Sequence, residues 1–563
     1  ISYKTLKSKY KFTLMHLQSS TKRSAQLNIR AFEGAAQISD FRAYGNNLEY
    51  NQRGLTNALI SGEHYLDGGD WEINWKLSPT LSTLDDPDIR KTAFTLDQGD
   101  SVIGPGEGGN PTRIWRELLE TNIVGRLDFI RKHEFMGEDA KLKFGASYVY
   151  KYRDYAIFRY DLRQVVGDQI RWSGDPNLVL LDSNLFPQGE LSYEPDLLRG
   201  RENPNAYQSN VNNFGVYVSQ EFQPVKNLKA IIGLRAELYR QRHTGRDQVA
   251  AQNPEDPNGN SLDNELVLDA LDLFPSANLI YALGENTNLR ASYYRSIARP
   301  SFKELSFAQI LDPLSNRTFN GGLFEYPDWE GNLRSTRINN FDLRWEHFLS
   351  GADIVSVSAF YKTFDSPIEL VRIPVALSDF QPRNVGNGTL FGGEFELRKN
   401  LAFISPAFEL ISFSGNFTYT FSQIDMTDIE FQARESREKE GQSIDDTREM
   451  AGQAPYIINA GFSYDDLEKE LSLGLFYNVR GRTLEIVGGN LAPDIYTEPF
   501  HSLNATFNKS FGEDGRSSIS IKVNNILNDV RESLYQAFEA DPQVFTRLNP
   551  GTTFSVGYTY SFY

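Results

Sequence analysis

The chain has 563 residues, more than one ordinary soluble domain needs, so it forms either several domains or one very large one. Its 57 Lys and Arg against 74 Asp and Glu give a formal charge of −17, which argues against a nucleic-acid-binding protein with a basic face. Cysteine is absent, and this excludes disulfide scaffolds, cysteine-ligated metals and thiol catalysis.

The beginning of the chain carries no leader pattern, and no segment reads as a membrane-spanning helix. A spanning helix needs about 20 consecutive apolar residues, whereas the longest apolar runs, such as residues 178–181, have only a few. The chain starts at Ile1 and soon reaches Lys4 and Lys7, so we expect a processed chain or an excised fragment.

Two-residue alternation of apolar and polar side chains dominates the chain. The earliest clear case covers about residues 9–19, and longer examples follow at 71–78, 141–152, 411–422 and 554–562. Such alternation is the pattern of a strand whose two faces meet different surroundings. A helical period of 3.6 never persists over a comparable length, so the sequence predicts an all-β protein.

The predicted strands are joined by short and long links in alternation. Short links are expected at residues 135–138, 223–227, 284–286, 349–352, 466–470 and 512–515. Long polar links are expected at about 79–119, 156–212, 241–273, 298–338, 365–389, 423–455, 482–498 and 528–551. This asymmetry is typical of a transmembrane antiparallel β-barrel, whose closed sheet pairs every backbone polar group within lipid. A β-propeller and a β-helix are the alternatives, but we find no repeat of about 40–50 residues such as propeller blades would show.

Motifs for catalysis or metal binding are weak. Residues 104–109 contain the spacing G-x-G-x-x-G, but they lie in a polar loop and are interpreted as flexible chain rather than a dinucleotide site. Residues 256–260 lack the bidentate Glu of a calcium loop, and 85–90 read as a turn stabilised by Asp side chains. The six histidines are scattered and no G-x-S-x-G occurs, so we expect no enzyme, no bound metal and no cofactor.

Several segments resemble the barrel domain of TonB-dependent outer-membrane receptors, particularly the branch with a carboxypeptidase-like N-terminal extension. Residues 293–305 read YYRSIARPSFKEL and resemble the family's mid-barrel segment R-P-S-F-x-E-L. The matching motif residues are Arg299, Pro300, Ser301, Phe302, Glu304 and Leu305. Further segments with the family's order and spacing are 213–217, 233–235, 339–346, 357–362 and 522–528.

The resemblance implies a barrel of about 22 strands in the whole protein. Counting back from the last strand gives about eighteen in this chain, and residues 1–4 read as the tail of the strand before them. We therefore expect residues 1–563 to be one outer-membrane β-barrel domain that is truncated at its N-terminus. Four strands, a plug domain and a TonB-contacting box would precede it.

The resemblance also implies a function, which is the uptake of a scarce nutrient through a plugged barrel in the outer membrane of a Gram-negative bacterium. Expected partners are outer-membrane lipid and lipopolysaccharide, TonB through the missing N-terminal region, and a surface lipoprotein or outer-membrane complex; no nucleic acid is expected. Three alternatives stay open: a non-transporting scaffold subunit of an assembly or secretion complex, a passive porin, and an outer-membrane enzyme.

Two sets of side chains are candidates for contact with cargo, although the sequence does not specify the ligand. Charged residues on the polar strand faces would line the lumen, and they are Arg126, Lys143, Arg235, Arg344, Glu346, Glu394 and Glu396. Aromatic residues in the predicted loops would contact the ligand outside, and they are Tyr155, Trp172, Tyr207, Tyr326 and Trp329.

Overall fold

Strands make up most of the protein in a computed structural model, which describes residues 1–31, 41–97, 100–103, 110–165, 170–171, 175–179, 181–195, 202–312, 317–326, 329–373, 376–488, 493–512 and 515–562. The α-helices in these segments are α1 (Pro176–Val179), α2 (Gln248–Gln252) and α3 (Asp428–Glu435). The 3-10 helices are Asp67–Gly69, Asp182–Asn184, Leu401–Phe403 and Pro406–Phe408. No helix of the described segments is long and apolar enough to cross a membrane.

Thirty-one strands occur in the described residues. The first eleven are β1 (Ser2–Lys4), β2 (Ser8–Ala31), β3 (Phe41–Leu66), β4 (Trp71–Asp97), β5 (Asp100–Ile103), β6 (Thr112–Phe135), β7 (Glu138–Gln164), β8 (Ile170–Arg171), β9 (Leu191–Pro195), β10 (Tyr207–Val225) and β11 (Leu228–Arg246). The next ten are β12 (Ser261–Gly284), β13 (Thr287–Ala298), β14 (Gln309–Asp312), β15 (Arg317–Asn320), β16 (Thr336–Phe348), β17 (Ile354–Asp365), β18 (Ile368–Ile373), β19 (Ala376–Asn384), β20 (Gly388–Asn400) and β21 (Ile411–Asp425). The last ten are β22 (Thr447–Arg448), β23 (Tyr456–Asp466), β24 (Leu471–Arg480), β25 (Thr483–Ile486), β26 (Asp494–Thr497), β27 (Ser502–Phe511), β28 (Ser517–Asn524), β29 (Arg531–Gln536), β30 (Gln543–Leu548) and β31 (Thr553–Tyr560).

One large antiparallel sheet forms the wall. It contains 23 of the strands found in the described residues, and β5, β8, β9 and β22 are short additions to it. The remaining nineteen (23 − 4) pair in chain order, from β1 with β2 to β28 with β31. Since β1 has only three residues, eighteen full strands remain. This confirms the predicted strand number and the predicted short strand before the first full one.

The predicted short links are confirmed by the strands on either side of them, although residues 513–514 lie outside the described residues. Several long links are shorter than predicted. Strand β7 continues to Gln164 and β10 begins at Tyr207, although residues 156–212 were expected to form one loop. Strand β4 likewise continues to Asp97 and β6 begins at Thr112, although residues 79–119 were expected to form one loop. Residues 207–212 of β10 read YQSNVN and lack the alternation from which strands were predicted, whereas residues 158–163 of β7 read FRYDLR and do alternate.

The outer face of the wall is a continuous apolar belt. The strand register places Val357 opposite Phe395 and Phe395 opposite Phe417, and all three side chains are exposed. The same face continues through Phe214, Val216, Val218, Leu234, Leu273, Leu279, Phe341, Leu343, Trp345, Tyr361, Phe391, Phe421, Phe462, Leu473, Leu475, Phe554, Val556 and Tyr558. Exposed apolar side chains in register on one face of every strand are the signature of a lipid-facing barrel surface.

The opposite face curves around a segment that returns into the barrel. Residues 299–312, here called the inner strap, follow β13 and bring Phe302, Ala308 and Leu311 into the largest buried apolar cluster. The other members of this cluster come from β4, β6, β7, β10 and β11. Because one segment contacts five strands, this face of the sheet is the concave, inner one.

The long links are folded into a loop layer, which we define as two small sheets together with helix α3. One sheet has the strand order β14-β15-β19-β18 and the other β25-β26-β29-β30. A bridge between Val371 and Val487 joins them, and Phe380, Ile486 and Ile495 form a shared buried cluster. The links at this end of the barrel therefore form an ordered structure over the wall.

Candidate functional site

Most of the predicted lumen-wall residues lie on the inner face and are ion-paired. Arg126 contacts Asp128 at 2.7 Å, and Tyr217 Oη donates to the same carboxylate at 2.6 Å. Arg235 contacts Glu237 at 2.7 Å and donates to Ser147 at 2.8 Å. Each guanidinium thus has its charge balanced by an acidic neighbour on the wall.

A second wall network includes three more of the predicted residues. Arg344 lies 3.1 Å from Glu346 and 2.9 Å from Glu396, while Arg290 contacts Glu346 at 2.6 Å. Glu346 is 5% exposed, and its two arginine contacts balance its charge.

The two remaining wall residues, Lys143 and Glu394, are both half-buried. Lys143 lies opposite Ser219, and Glu394 lies between Ser358 and Thr418 in the register. A lining role for the wall residues stays a prediction.

The family-motif segment anchors the inner strap. Arg299 extends into the wall, while Phe302 and Leu305 are buried at 6% and 1% exposure. Ser301 and Glu304 cap the turn reciprocally: Ser301 N donates to Glu304 Oε2 at 2.7 Å, and Glu304 N donates to Ser301 Oγ at 3.3 Å. Pro300 is also buried. In this structure the motif acts in packing and positioning.

Two predicted loop aromatics were placed wrongly. Tyr155 and Tyr207 lie in strands β7 and β10, pair directly in the register, and are 5% and 4% exposed. Their ring centroids are 5.2 Å apart within the cluster around the inner strap. Trp172, like the glycine-rich residues 104–109, lies outside the described residues.

The other two predicted aromatics, Tyr326 and Trp329, lie together in the link between β15 and β16, beside the loop layer. Their backbones exchange two hydrogen bonds of 3.0 and 2.9 Å, and Trp329 Nε1 donates to the carbonyl of Gly322 at 2.7 Å. The guanidinium of Arg383 lies 5.9 Å from the ring centre of Tyr326 and 5.6 Å from that of Trp329. The prediction that these rings lie in loops is confirmed, and Trp329 borders a cavity.

Two adjoining cavities lie within the loop layer. The smaller one holds about 170 Å³ and is largely apolar, with Trp329, Val371, Ile429 and Val487 in its lining. The larger one holds about 440 Å³ and is largely polar. Its charged lining residues are Arg434, Arg437, Lys439, Arg448, Asp445 and Asp494.

Ion pairs fix the wall between these cavities. Arg448 is almost fully buried, and it contacts Glu369 at 2.7 Å and Glu430 at 2.6 Å. Arg434 contacts Glu430 at 3.1 Å and makes two hydrogen bonds with Asp494, of 2.8 and 2.9 Å. Burial opposes the charge of Arg448, but the two glutamates outweigh it and raise the pKa of the guanidinium.

Sequence reasoning missed this cluster because it expected residues 423–455 to form one long polar link. One signal was available. Thr427 and Glu430 have the S/T-x-x-E spacing of a helix start, and Thr427 Oγ1 accepts a hydrogen bond from Glu430 N at 3.3 Å. That signal predicts α3, and α3 positions Glu430 and Arg434.

The described residues contain no group of three or more His, Asp or Glu side chains placed to hold a metal ion. We take the two joined cavities of the loop layer as the candidate site, because ion-paired side chains fix their lining.

An antiparallel wall with an apolar outer belt, a charged inner face and structured loops at one end defines an outer-membrane barrel of the receptor type. Residues 7–526 match the family model described as TonB dependent receptor-like, beta-barrel. The chain belongs to this family, whose members are outer-membrane receptors and transporters rather than enzymes. None of the curated protein sequences compared with it matches.

Solved structures show the same fold at low sequence identity. The siderophore receptor PiuA from Acinetobacter baumannii is 12% identical with a TM-score of 0.57, and the match covers 99% of this chain and 75% of that one. The copper transporter OprC is 13% identical with a TM-score of 0.54, covering 100% and 77%. The ferric yersiniabactin uptake receptor FyuA from Yersinia pestis is 11% identical with a TM-score of 0.51, covering 99% and 78%.

Proposed function

We propose that this chain forms the barrel of an energy-coupled transporter that imports one scarce nutrient across the outer membrane. The main support is the loop layer, in which the long links of a receptor-family barrel are fixed around two adjoining cavities. Pre-organised loops favour selective binding because little conformational entropy is lost when the ligand arrives. The names of PiuA, OprC and FyuA refer to a siderophore, to copper and to ferric yersiniabactin, and they support a scarce cargo without specifying it.

The proposal includes a plug inside the barrel and a TonB-contacting segment, which the family implies for the whole protein. It also includes a position in the lipid of the outer membrane, with lipopolysaccharide around the barrel. Arg240, Arg295 and Arg337 continue the outer face beyond Leu238, Tyr293 and Phe341 in their strands. Such cations would meet the phosphates of the outer leaflet directly above the apolar belt.

Deletion of the gene tests this function through growth on single limiting sources of iron, copper and organic nutrients. We expect one source to fail, the intact gene to restore growth on it, and a protonophore to abolish uptake of that source. Planar-bilayer recordings of the complete protein should show a closed barrel, whereas steady conductance would indicate a porin. Normal growth and uptake on every source, with stoichiometric co-purification of an outer-membrane complex, would contradict transport and favour the scaffold.

A further inference from the structure

A cation without an acidic partner lies where the two cavities of the loop layer meet. Arg437 lines both cavities and is half-buried. Its Nε donates to the backbone carbonyl of Ala433 at 2.9 Å, and its guanidinium makes no ion pair with any carboxylate of the described residues. The nearby cations Arg434 and Arg448 are by contrast held by Asp494, Glu430 and Glu369.

A second cation of the larger cavity is in the same situation. Lys439 Nζ donates to the backbone carbonyl of Phe538 at 3.0 Å and has no acidic partner among the described residues. Of the two carboxylates that line this cavity, Asp494 is already paired with Arg434, and Asp445 is exposed. Lys439 and Asp445 are both exposed and carry opposite charges, so the net charge that remains for a ligand is the positive charge of Arg437.

Keeping the Arg437 guanidinium charged in this position costs electrostatic free energy, and a bound anion would reduce that cost. Burial and the neighbouring charge of Arg434 lower the pKa of Arg437, and they outweigh the charge of Asp494, which acts in the opposite direction. A guanidinium held beside another cation away from bulk water favours a negatively charged partner. Because its planar donors match carboxylate and other oxyanion geometry, such a group could bind the anion bidentately.

The smaller cavity favours a ligand that also has an apolar part. Its lining includes the ring of Trp329 and the side chains of Val371, Ile429 and Val487, and it adjoins the polar cavity at Arg437 and Gly488. With volumes of about 170 and 440 Å³, the two cavities together fit the size range of small-molecule sites.

We propose that these joined cavities bind an amphipathic organic anion, with its oxyanion head on Arg437 and Lys439 and its apolar body against Trp329. The inference rests on the proposed transport function, since it names the chemical class of the cargo. Its test is a binding measurement that does not depend on import.

The test uses the complete protein in lipid nanodiscs and three small probes measured by equilibrium dialysis. The probes are 1-naphthylacetate, the neutral 2-(1-naphthyl)ethanol and acetate, and empty nanodiscs give the background. We expect naphthylacetate to bind at least about tenfold more tightly than the alcohol or acetate, a difference of about 1.4 kcal/mol. Equal affinities for the acid and the alcohol, or no binding of naphthylacetate above background, would overturn the proposal.

Three variants assign the site within the protein. Arg437→Gln should remove the preference for the acid over the alcohol, whereas Arg437→Lys should keep part of it. Trp329→Ala should weaken binding of both naphthyl probes. Arg240→Gln, which removes an exposed cation from the outer face, is the matched control and should change nothing. If a folded Arg437→Gln protein still prefers the acid over the alcohol, the assignment of the site is wrong. Normal import in a deletion strain would contradict only the transport function.

Discussion

Arg299 and Asp272 form an ion pair of 2.9 Å on the inner wall, at the point where the chain leaves β13 and enters the inner strap. The same guanidinium lies 2.8 Å from Glu237 and 4.4 Å from the ring centre of Tyr239. One side chain thus ties the start of the strap to β11 and β12.

Replacing Arg299 with Ala should lower the free energy of unfolding by about 2 kcal/mol, because Glu237 and Asp272 each lose one charged hydrogen bond and keep one arginine contact, Arg235 at 2.7 Å and Arg337 at 3.8 Å. Chemical unfolding in lipid vesicles measures this quantity. Arg295→Ala is the control, since Arg295 is exposed at the end of the same strand, and it should cost less than about 0.5 kcal/mol. Equal losses in both variants would show that the ion pairs of Arg299 do not stabilise the strap.

The lipid-facing belt predicts that charge is tolerated on one face of the wall only. Leu343 is half-exposed in the belt, so Leu343→Arg should destabilise the barrel by about 2–4 kcal/mol in vesicles. Ser292 lies on the inner face and donates to Asp342 at 3.3 Å, so Ser292→Arg should be tolerated. Greater destabilisation by Ser292→Arg than by Leu343→Arg would reverse the assignment of the two faces.

Sequence alone predicted the wall because lipid imposes a regular pattern on it. Val357, Phe395 and Phe417 are apolar at alternate positions of three strands, and the structure aligns them in one row. The number of full strands and most of the short links follow from the same alternation. Above the lipid the constraint ends, so Tyr155 and Tyr207 were expected in loops although they lie in strands.

The loop layer could not be predicted in the same way, because it depends on contacts between distant segments. Arg448 pairs with Glu369, 79 residues earlier in the chain, and Arg434 pairs with Asp494, 60 residues later. No local periodicity records such pairs. The helix start at Thr427 was readable from the sequence, but the partners of α3 were not.

Two adjacent glycines of β20 give a sharp test of packing between strands. A Cβ at position 392 would lie 2.6 Å from the ring of Phe360 and even closer to the carbonyl oxygen of Tyr419. Gly392→Ala should therefore lower stability by about 1–3 kcal/mol, as overpacking does elsewhere. Gly393→Ala is the control, because its Cβ would meet only the Ser358 carbonyl oxygen at an ordinary 3.5 Å. Thermal unfolding measures the stability of both variants. A loss in Gly392→Ala alone would indicate steric crowding, whereas equal losses would indicate that β20 does not tolerate substitution in general.

The buried pair of Glu369 and Arg448 should control the opening of the loop layer. Glu369→Gln keeps an oxygen that can accept the hydrogen bond from Ala451 N, which is 2.7 Å in this structure, but it removes the negative charge. Among the described residues Arg448 then retains Glu430 alone as an acidic partner while almost fully buried, which should cost about 3 kcal/mol locally. Limited proteolysis of the loops should accelerate by about two orders of magnitude while the wall stays resistant.

The control for this prediction is Glu435→Gln, which removes a charge from the exposed end of α3 and should leave the cleavage rate unchanged. The double variant Glu369→Leu with Arg448→Met should recover much of the resistance, because it removes both buried charges and leaves apolar groups of similar size. An unchanged cleavage rate in the Glu369→Gln variant would contradict this prediction. It would show that apolar contacts, such as those of Ile486 and Ile495, hold the loop layer together. The ion pairs would then only orient the side chains that line the cavities.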